Sequence, residues 1–242
     1  MKRRCPAWVV DTPIAHRGLH DEARPENSLP AFAAAAEAGY AIELDVHLSA
    51  DDEVIVFHDD TLERACGRPE AVSELRASEL KAQGLFGTDE RIPSLAEVFA
   101  LVGGRVPVVV EVKQRGEVGR LESATAERLA AYRGDVTVQS FNPWTLRWFR
   151  RYASHHPRGM LSCNFQGEDL PRHEVIVLRR LLLAPVVRPA YVGYEHRALP
   201  YWAPTALRRV GVPLVAWTIR TEEELARARE LADNVIFETV RP

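Results

Sequence analysis

The stretch that decides the fold is Ala41-Ile42-Glu43-Leu44-Asp45-Val46-His47-Leu48, followed by Ser49-Ala50-Asp51-Asp52-Glu53 and then Val54-Ile55-Val56-Phe57-His58. Two apolar β-type runs flank a polar turn. The turn is too short for a crossover helix, so the pair reads as a hairpin. In the first run, Glu43 and Asp45 stand two residues apart and project from one face of a strand, while Ile42, Leu44 and Val46 project from the other. An apolar face suited to covering helices, opposite a face carrying two carboxylates, fits a parallel strand of an α/β barrel better than an exposed antiparallel one.

Working outward, β-type runs alternate with helical patterns along the whole chain. The strands are expected at Thr12–His16, Ala41–Val46, Val106–Val112, Asp135–Ser140, Arg158–Ser162, Val186–Gly193, Val212–Thr218 and Asn234–Glu238. Pro189 interrupts the sixth. Ser28 can cap a helix running to Ala38 and stopped at Gly39. Ser94-Leu95-Ala96-Glu97 and Thr221-Glu222-Glu223-Glu224 fit the capping box, and Asn142-Pro143 fits a helix start. Further helices are expected over Glu117–Tyr132, Pro171–Leu183 and Tyr201–Val210. Eight such units in 242 residues is the pattern of a (β/α)8 TIM barrel, with a doubly wound open sheet as the rival. The hairpin and an irregular stretch at about 59–92 form a small insertion after the second strand, with one short helical pattern at Ser73–Leu80. No linker divides the chain, so 1–242 reads as a single domain.

Composition narrows the class. The chain is 46% hydrophobic and 27% charged, ordinary for a soluble globular protein. Its net charge of −3 gives no reason to expect nucleic-acid binding, although the basic residues are 28 Arg against 3 Lys. The basic start, Met1-Lys2-Arg3-Arg4, is followed by an apolar stretch that ends at Asp11, too short for a signal peptide. No apolar run is long enough for a membrane span. Cys5, Cys66 and Cys163 are widely separated and form no CxxC pair, so a cytoplasmic protein with reduced thiols is expected.

In this fold the chemistry sits at the C-terminal ends of the strands. His16 and Arg17 end the first strand, Glu43 and Asp45 the second, Glu111 and Lys113 the third. Two carboxylates turned into a barrel interior repel each other unless a cation lies between them. Oxygen ligands suit Mg2+ or Ca2+, and Glu111 supplies a third. The hairpin brings His58 back toward Asp45, near His16, so two imidazoles flank the metal site as a candidate base and acid. Arg17 offers a planar fork to a phosphate; Lys113 adds positive charge there or pairs with a carboxylate. His47 shares the Glu43 face and reads as peripheral. His20, His155, His156 and His173 read as surface residues.

With these residues in place, the chain resembles the glycerophosphodiester phosphodiesterase family. The resemblance rests on His16-Arg17-Gly18, Pro25-Glu26-Asn27-Ser28, Ile42–Val46 and Val56-Phe57-His58-Asp59-Asp60-Thr61-Leu62-Glu63-Arg64. It continues through Ile92-Pro93-Ser94-Leu95, Val110–Lys113, Ser140-Phe141-Asn142 and Ala216-Trp217-Thr218-Ile219. It implies a (β/α)8 fold and divalent-cation-assisted hydrolysis of a glycerophosphodiester to glycerol 3-phosphate and an alcohol. It implies His16 and His58 as the acid/base pair, Glu43, Asp45 and Glu111 as metal ligands, and Arg17 and Lys113 at the phosphate. The nucleophile is either water or the substrate's own glycerol hydroxyl. Near the end the chain departs from the family pattern, with Glu238 in place of the usual acid, and residues 186–200 also fit poorly. Those loops are expected to shape the pocket for the leaving alcohol. A lysophospholipase D-like activity on a single-chain lysolipid is the alternative substrate reading. A non-catalytic phosphate-ligand binding protein is the alternative class.

Overall fold

The computed structural model describes residues 5–114 and 116–242; the basic Met1–Arg4 of the sequence reading lie outside them. There are nine strands among these residues: β1 Ile14–Ala15, β2 Ala41–Leu48, β3 Val54–Val56, β4 Val108–Val112, β5 Val136–Ser140, β6 Arg158–Ser162, β7 Tyr191–Glu195, β8 Leu214–Ile219 and β9 Asn234–Phe237. Their hydrogen-bonded order is β1-β9-β8-β7-β6-β5-β4-β2-β3, and β1 also pairs with β2. The order closes on itself. This is the expected (β/α)8 barrel, with β3 as one added antiparallel strand, and the open-sheet rival is excluded.

By contacts the chain falls into two compact units, residues 15–136 and residues 1–14 with 137–242. In the first, β2 is buried along nearly its whole length and pairs in parallel with β4, setting Asp45 beside Glu111. The hairpin forms as expected: β2 and β3 are antiparallel with Leu48 opposite Val54 and Val46 opposite Val56. The helix Leu29–Glu37 begins at Ser28, whose hydroxyl accepts from the Ala31 amide. The helix Leu95–Val102 begins with the Ser94/Glu97 capping box and stops at Gly103 in a left-handed turn. Phe32, Leu95 and Val98 are fully buried, each contributing roughly 1.5–3 kcal/mol.

The excursion after β3 carries its own small core of Ile55, Phe57, Leu62, Val72, Leu80, Leu85 and Ile92. Its expected helix at Ser73–Leu80 is instead two pieces, a 3-10 turn Val72–Glu74 and a helix Ala77–Leu80. The break comes at Leu75. It is extended, packs against the small core, and its carbonyl accepts from the Ala50 amide. Ser73 therefore lies inside the 3-10 turn, not at a cap.

In the second unit, Asn142 caps Pro143–Tyr152 as expected, and Thr221 with Glu224 boxes the start of Glu222–Leu231. The Asn234 side chain donates to the carbonyls of Val9 (2.8 Å) and Thr12 (2.7 Å), tying the N-terminal segment to β9. One strand differs from expectation: residues 184–187 are a helical turn, and β7 starts only at Tyr191, beyond Pro189. An apolar run containing proline serves here as a turn feeding the strand, because proline has no N–H for the ladder. Among the described residues no helix is long and apolar enough to cross a membrane.

Candidate active site

The site lies within residues 15–136 and begins with a backbone device. The chain leaves β1 through Arg17 (φ 55°) and Gly18 (φ 83°), both left-handed. A Cβ on Gly18 would stand 2.7 Å from the Ala31 carbonyl carbon, so only glycine fits. This turn aims the Arg17 amide at Glu43 Oε2 (3.2 Å). It also puts His16 Nε2 3.9 Å from the same oxygen.

Glu43, Asp45 and Glu111 are buried, and each offers an oxygen within 4.8 Å of the others. Asp45 is flanked by cations, with Lys113 Nζ 3.0 Å from Oδ1 and Arg17 Nε 3.2 Å from Oδ2. Lys113 Nζ also pairs with Glu111 at 2.6 Å. The consequences for ionisation diverge. Burial opposes the charge on Asp45, but Lys113 and Arg17 outweigh it and hold its carboxyl well below the usual carboxylate range. Glu43 is pushed well above that range by burial and by the charges of Asp45 and Glu111. Glu111 is raised by burial, with Lys113 opposing.

His58 emerges just past β3, where the Phe57 amide donates to the Asp45 carbonyl at 3.0 Å. Burial lowers its imidazole to about 4 despite the attraction of Asp45, so it is neutral near pH 7. Its Nδ1 lies 2.6 Å from Asp59 Oδ1. His47, shared face notwithstanding, is not among the clustered carboxylates: its Nε2 lies 3.1 Å from the His58 carbonyl, where it supports the segment.

Three residues that hold this arrangement had no assigned role in the sequence reading. Asn27, nearly fully buried and left-handed (φ 56°), donates from Nδ2 to Asp45 Oδ2 at 2.9 Å. Glu26 accepts from Arg17 at 2.7 Å and from Arg64 at 2.7 Å. Arg64 in turn donates to Asp59 at 2.6 Å. A continuous chain of charge-assisted bonds, Arg17–Glu26–Arg64–Asp59–His58, thus joins the β1 turn to the β3 end and fixes both. The signal was present in Pro25-Glu26-Asn27-Ser28 and in Arg64, but their partners lie 18 and 38 residues away in sequence, which no local pattern reveals.

Every predicted site residue, His16, Arg17, Glu43, Asp45, His58, Glu111 and Lys113, therefore belongs to one unit and one charge network. The residues expected to shape the leaving-group loop do not behave as loop residues. Tyr191 and Tyr194 are fully buried strand residues, and Tyr191 donates to Gln139. His196 lies 3.5 Å from Glu224. Glu238 lies just past β9 and pairs with Arg220 at 2.6 Å. His156 is buried and His20 half-buried, not surface residues as expected, whereas His173 is exposed.

A barrel with buried carboxylates, histidines and cations at its strand ends is suited to binding an anionic ester and cleaving it by proton transfer. Comparison makes it specific: residues 16–238 match the model of the glycerophosphoryl diester phosphodiesterase family, and the chain belongs to that family. A glycerophosphodiester phosphodiesterase of Caldanaerobacter subterraneus subsp. tengcongensis is 32% identical over 227 residues, 88% of each chain. A solved Oleispira antarctica phosphodiesterase, in complex with the product sn-glycerol-3-phosphate, superposes with TM-score 0.81 at 22% identity, over 94% of this chain and 92% of that one. A human lysophospholipase D is 35% identical over 118 residues, 43% of this chain and 37% of its own. The chain is thus a phosphodiesterase of this family, which sets aside the binding-protein alternative.

Proposed function

We propose that the chain hydrolyses glycerophosphodiesters to glycerol 3-phosphate and an alcohol with the help of a divalent cation, Mg2+ or Ca2+, and that His16 and His58 transfer the protons. The observation that carries this reading is the buried triad Glu43, Asp45 and Glu111. The donor set fits a hard cation: three carboxylates, all oxygen. Asp45 Oδ1 is buried with Lys113 Nζ at 3.0 Å, and burial together with the charges of Asp45 and Glu111 pushes the Glu43 carboxyl well above its ordinary range, a repulsion that a bound cation would relieve. A cation bound there supplies charge neutralisation at the phosphate.

The chain's own residues supply the rest. Arg17 and Lys113 present positive charge beside the carboxylates, where phosphate oxygens bind. His58, neutral and oriented through Nδ1 by Asp59, can take or return a proton through Nε2. His16, beside Glu43, is its counterpart. Residues 1–242 act as one catalytic domain, working in the cytoplasm.

The test is glycerol 3-phosphate release from glycerophosphocholine and glycerophosphoethanolamine with added Mg2+ or Ca2+ and with EDTA. Release that needs the cation is expected. Release that survives thorough chelation would remove the metal role of Glu43, Asp45 and Glu111 and keep the phosphodiesterase. The similarity to a lysophospholipase D supports a second substrate reading, a lysolipid with one acyl chain. Faster turnover of lysophosphatidylcholine than of glycerophosphocholine would favour it.

A further inference from the structure

Residues 144–202 carry an exposed apolar surface and none of the candidate site residues. Six of the eight exposed large apolar side chains among the described residues lie there: Trp144, Tyr152, Ile176, Leu182, Val186 and Trp202, with Trp202 58% exposed. The helix Arg172–Arg179 is the oddest piece. Of its run Val175-Ile176-Val177-Leu178, three residues are only half-buried and Ile176 is exposed, whereas a surface helix ordinarily buries its apolar stripe.

The parts are joined. The Arg150 guanidinium donates to the Val186 carbonyl, linking helix 143–152 to the turn 184–187. The Arg179 guanidinium lies 4.8 Å from the Tyr201 ring centre, and that ring is 5.9 Å from Trp202. The Tyr194 hydroxyl donates to the Arg179 carbonyl at 3.1 Å.

The charge is equally lopsided. Residues 144–202 hold nine arginines and four carboxylates, a net of +5 in a chain whose total is −3. The remainder of the chain therefore carries −8. Arg172, Arg179, Arg180 and Arg188 are all exposed around the apolar helix and turn.

We propose that this surface docks on an anionic lipid bilayer. Exposed aliphatic side chains with tryptophan and tyrosine enter the headgroup boundary, and arginine stems lie along them with their heads at lipid phosphates. Each basic side chain near an anionic leaflet strengthens partitioning about five-fold. A nucleic acid would use the arginines and leave Ile176, Leu182 and Val186 in water. A second copy would set arginines against arginines across a two-fold axis.

The experiment is sedimentation of the full chain with extruded vesicles of phosphatidylcholine alone and of phosphatidylcholine mixed equally with phosphatidylglycerol. Binding to the mixed vesicles only, released by raised salt, is expected. The pair Arg172→Glu/Arg180→Glu and the pair Ile176→Ser/Leu182→Ser should each weaken that binding ~10-fold or more at an unchanged melting temperature. Binding that ignores lipid charge, variants that bind like the wild type, or no binding at all would overturn the proposal. So would a vesicle-free dimer dissolved by Ile176→Ser/Leu182→Ser, which would assign the face to a second copy.

Discussion

The two units of the chain share one architectural repeat and divide its polar groups unequally. Among the described residues, every buried carboxylate, Glu43, Asp45, Glu111 and Glu122, lies in residues 15–136. The unit formed by 1–14 and 137–242 buries neutral or weakly basic groups instead: Thr137, Gln139, Ser140, Thr145, Ser162, Thr218, His156 and His196. Burying a carboxylate is costly unless partners compensate it. Glu122 has the Gly119 amide at 2.7 Å, and the other three have Arg17 and Lys113 in their network. The difference shows where the chain concentrates its buried charge: three clustered carboxylates, with Arg17 and Lys113 only partly offsetting their repulsion at Glu43, lie in the unit that also holds His16 and His58.

The largest expected effects break the first unit's chemistry while sparing its fold. His16→Ala and His58→Ala should each lower turnover of glycerophosphocholine by ~100-fold or more. Their melting temperatures should stay close to that of the wild type, since both side chains are partly exposed. Steady-state kinetics beside thermal unfolding checks this, and near-normal activity in either variant removes that histidine from proton transfer.

A smaller effect, in stability, sharpens the comparison from the other side. Glu43 has a folded-state pKa raised above its ordinary 4.5 by burial and by Asp45 and Glu111. Its stabilisation is therefore complete below about pH 4.5 and is lost as pH rises through the raised value. In EDTA, Glu43→Gln should remove that loss and melt higher than the wild type at pH 8. Added Mg2+ or Ca2+ should raise the wild-type melting temperature by mass action and the variant's much less. A variant that melts lower than the wild type in EDTA would mean that Glu43 is compensated by groups other than a cation.

How far this asymmetry was legible in the sequence follows from the range of each interaction. Glu43 and Asp45 could be placed on one face because strand alternation is local, and His58 because a five-residue polar turn admits only a hairpin. The capping residues Ser28, Ser94, Asn142 and Thr221 all start their helices as read, since a cap satisfies amides within one turn. Asn27, Glu26 and Arg64 carry no such local mark, because their geometry is set by chain segments brought together on folding. The shift of β7 past Pro189 and the burial of His156 have the same origin. Apolar periodicity gives a run of buried residues but does not say where a ladder begins, and a histidine in a loop is buried or exposed according to what packs over it.

His156 gives the smallest test and the one confined to the second unit. It is 7% exposed, and burial, with His155 and Arg158 nearby, lowers its imidazole to about 4 from an ordinary 6.5. As pH falls below about 6.5 the unfolded chain takes up a proton that the folded chain refuses, so stability declines until the pH reaches the folded value near 4. His156→Gln keeps a polar side chain there and removes the titration. The fall in melting temperature between pH 7 and pH 5 should then shrink by roughly 2–4 °C, the shift of a chain this size for a change of about 1 kcal/mol. Activity at pH 7 should be unchanged, because the residue lies in the unit whose buried groups carry no carboxylate. An unaltered pH slope would remove His156 from the proton sensitivity of folding and leave it to other buried groups, among them His196, whose imidazole burial also lowers.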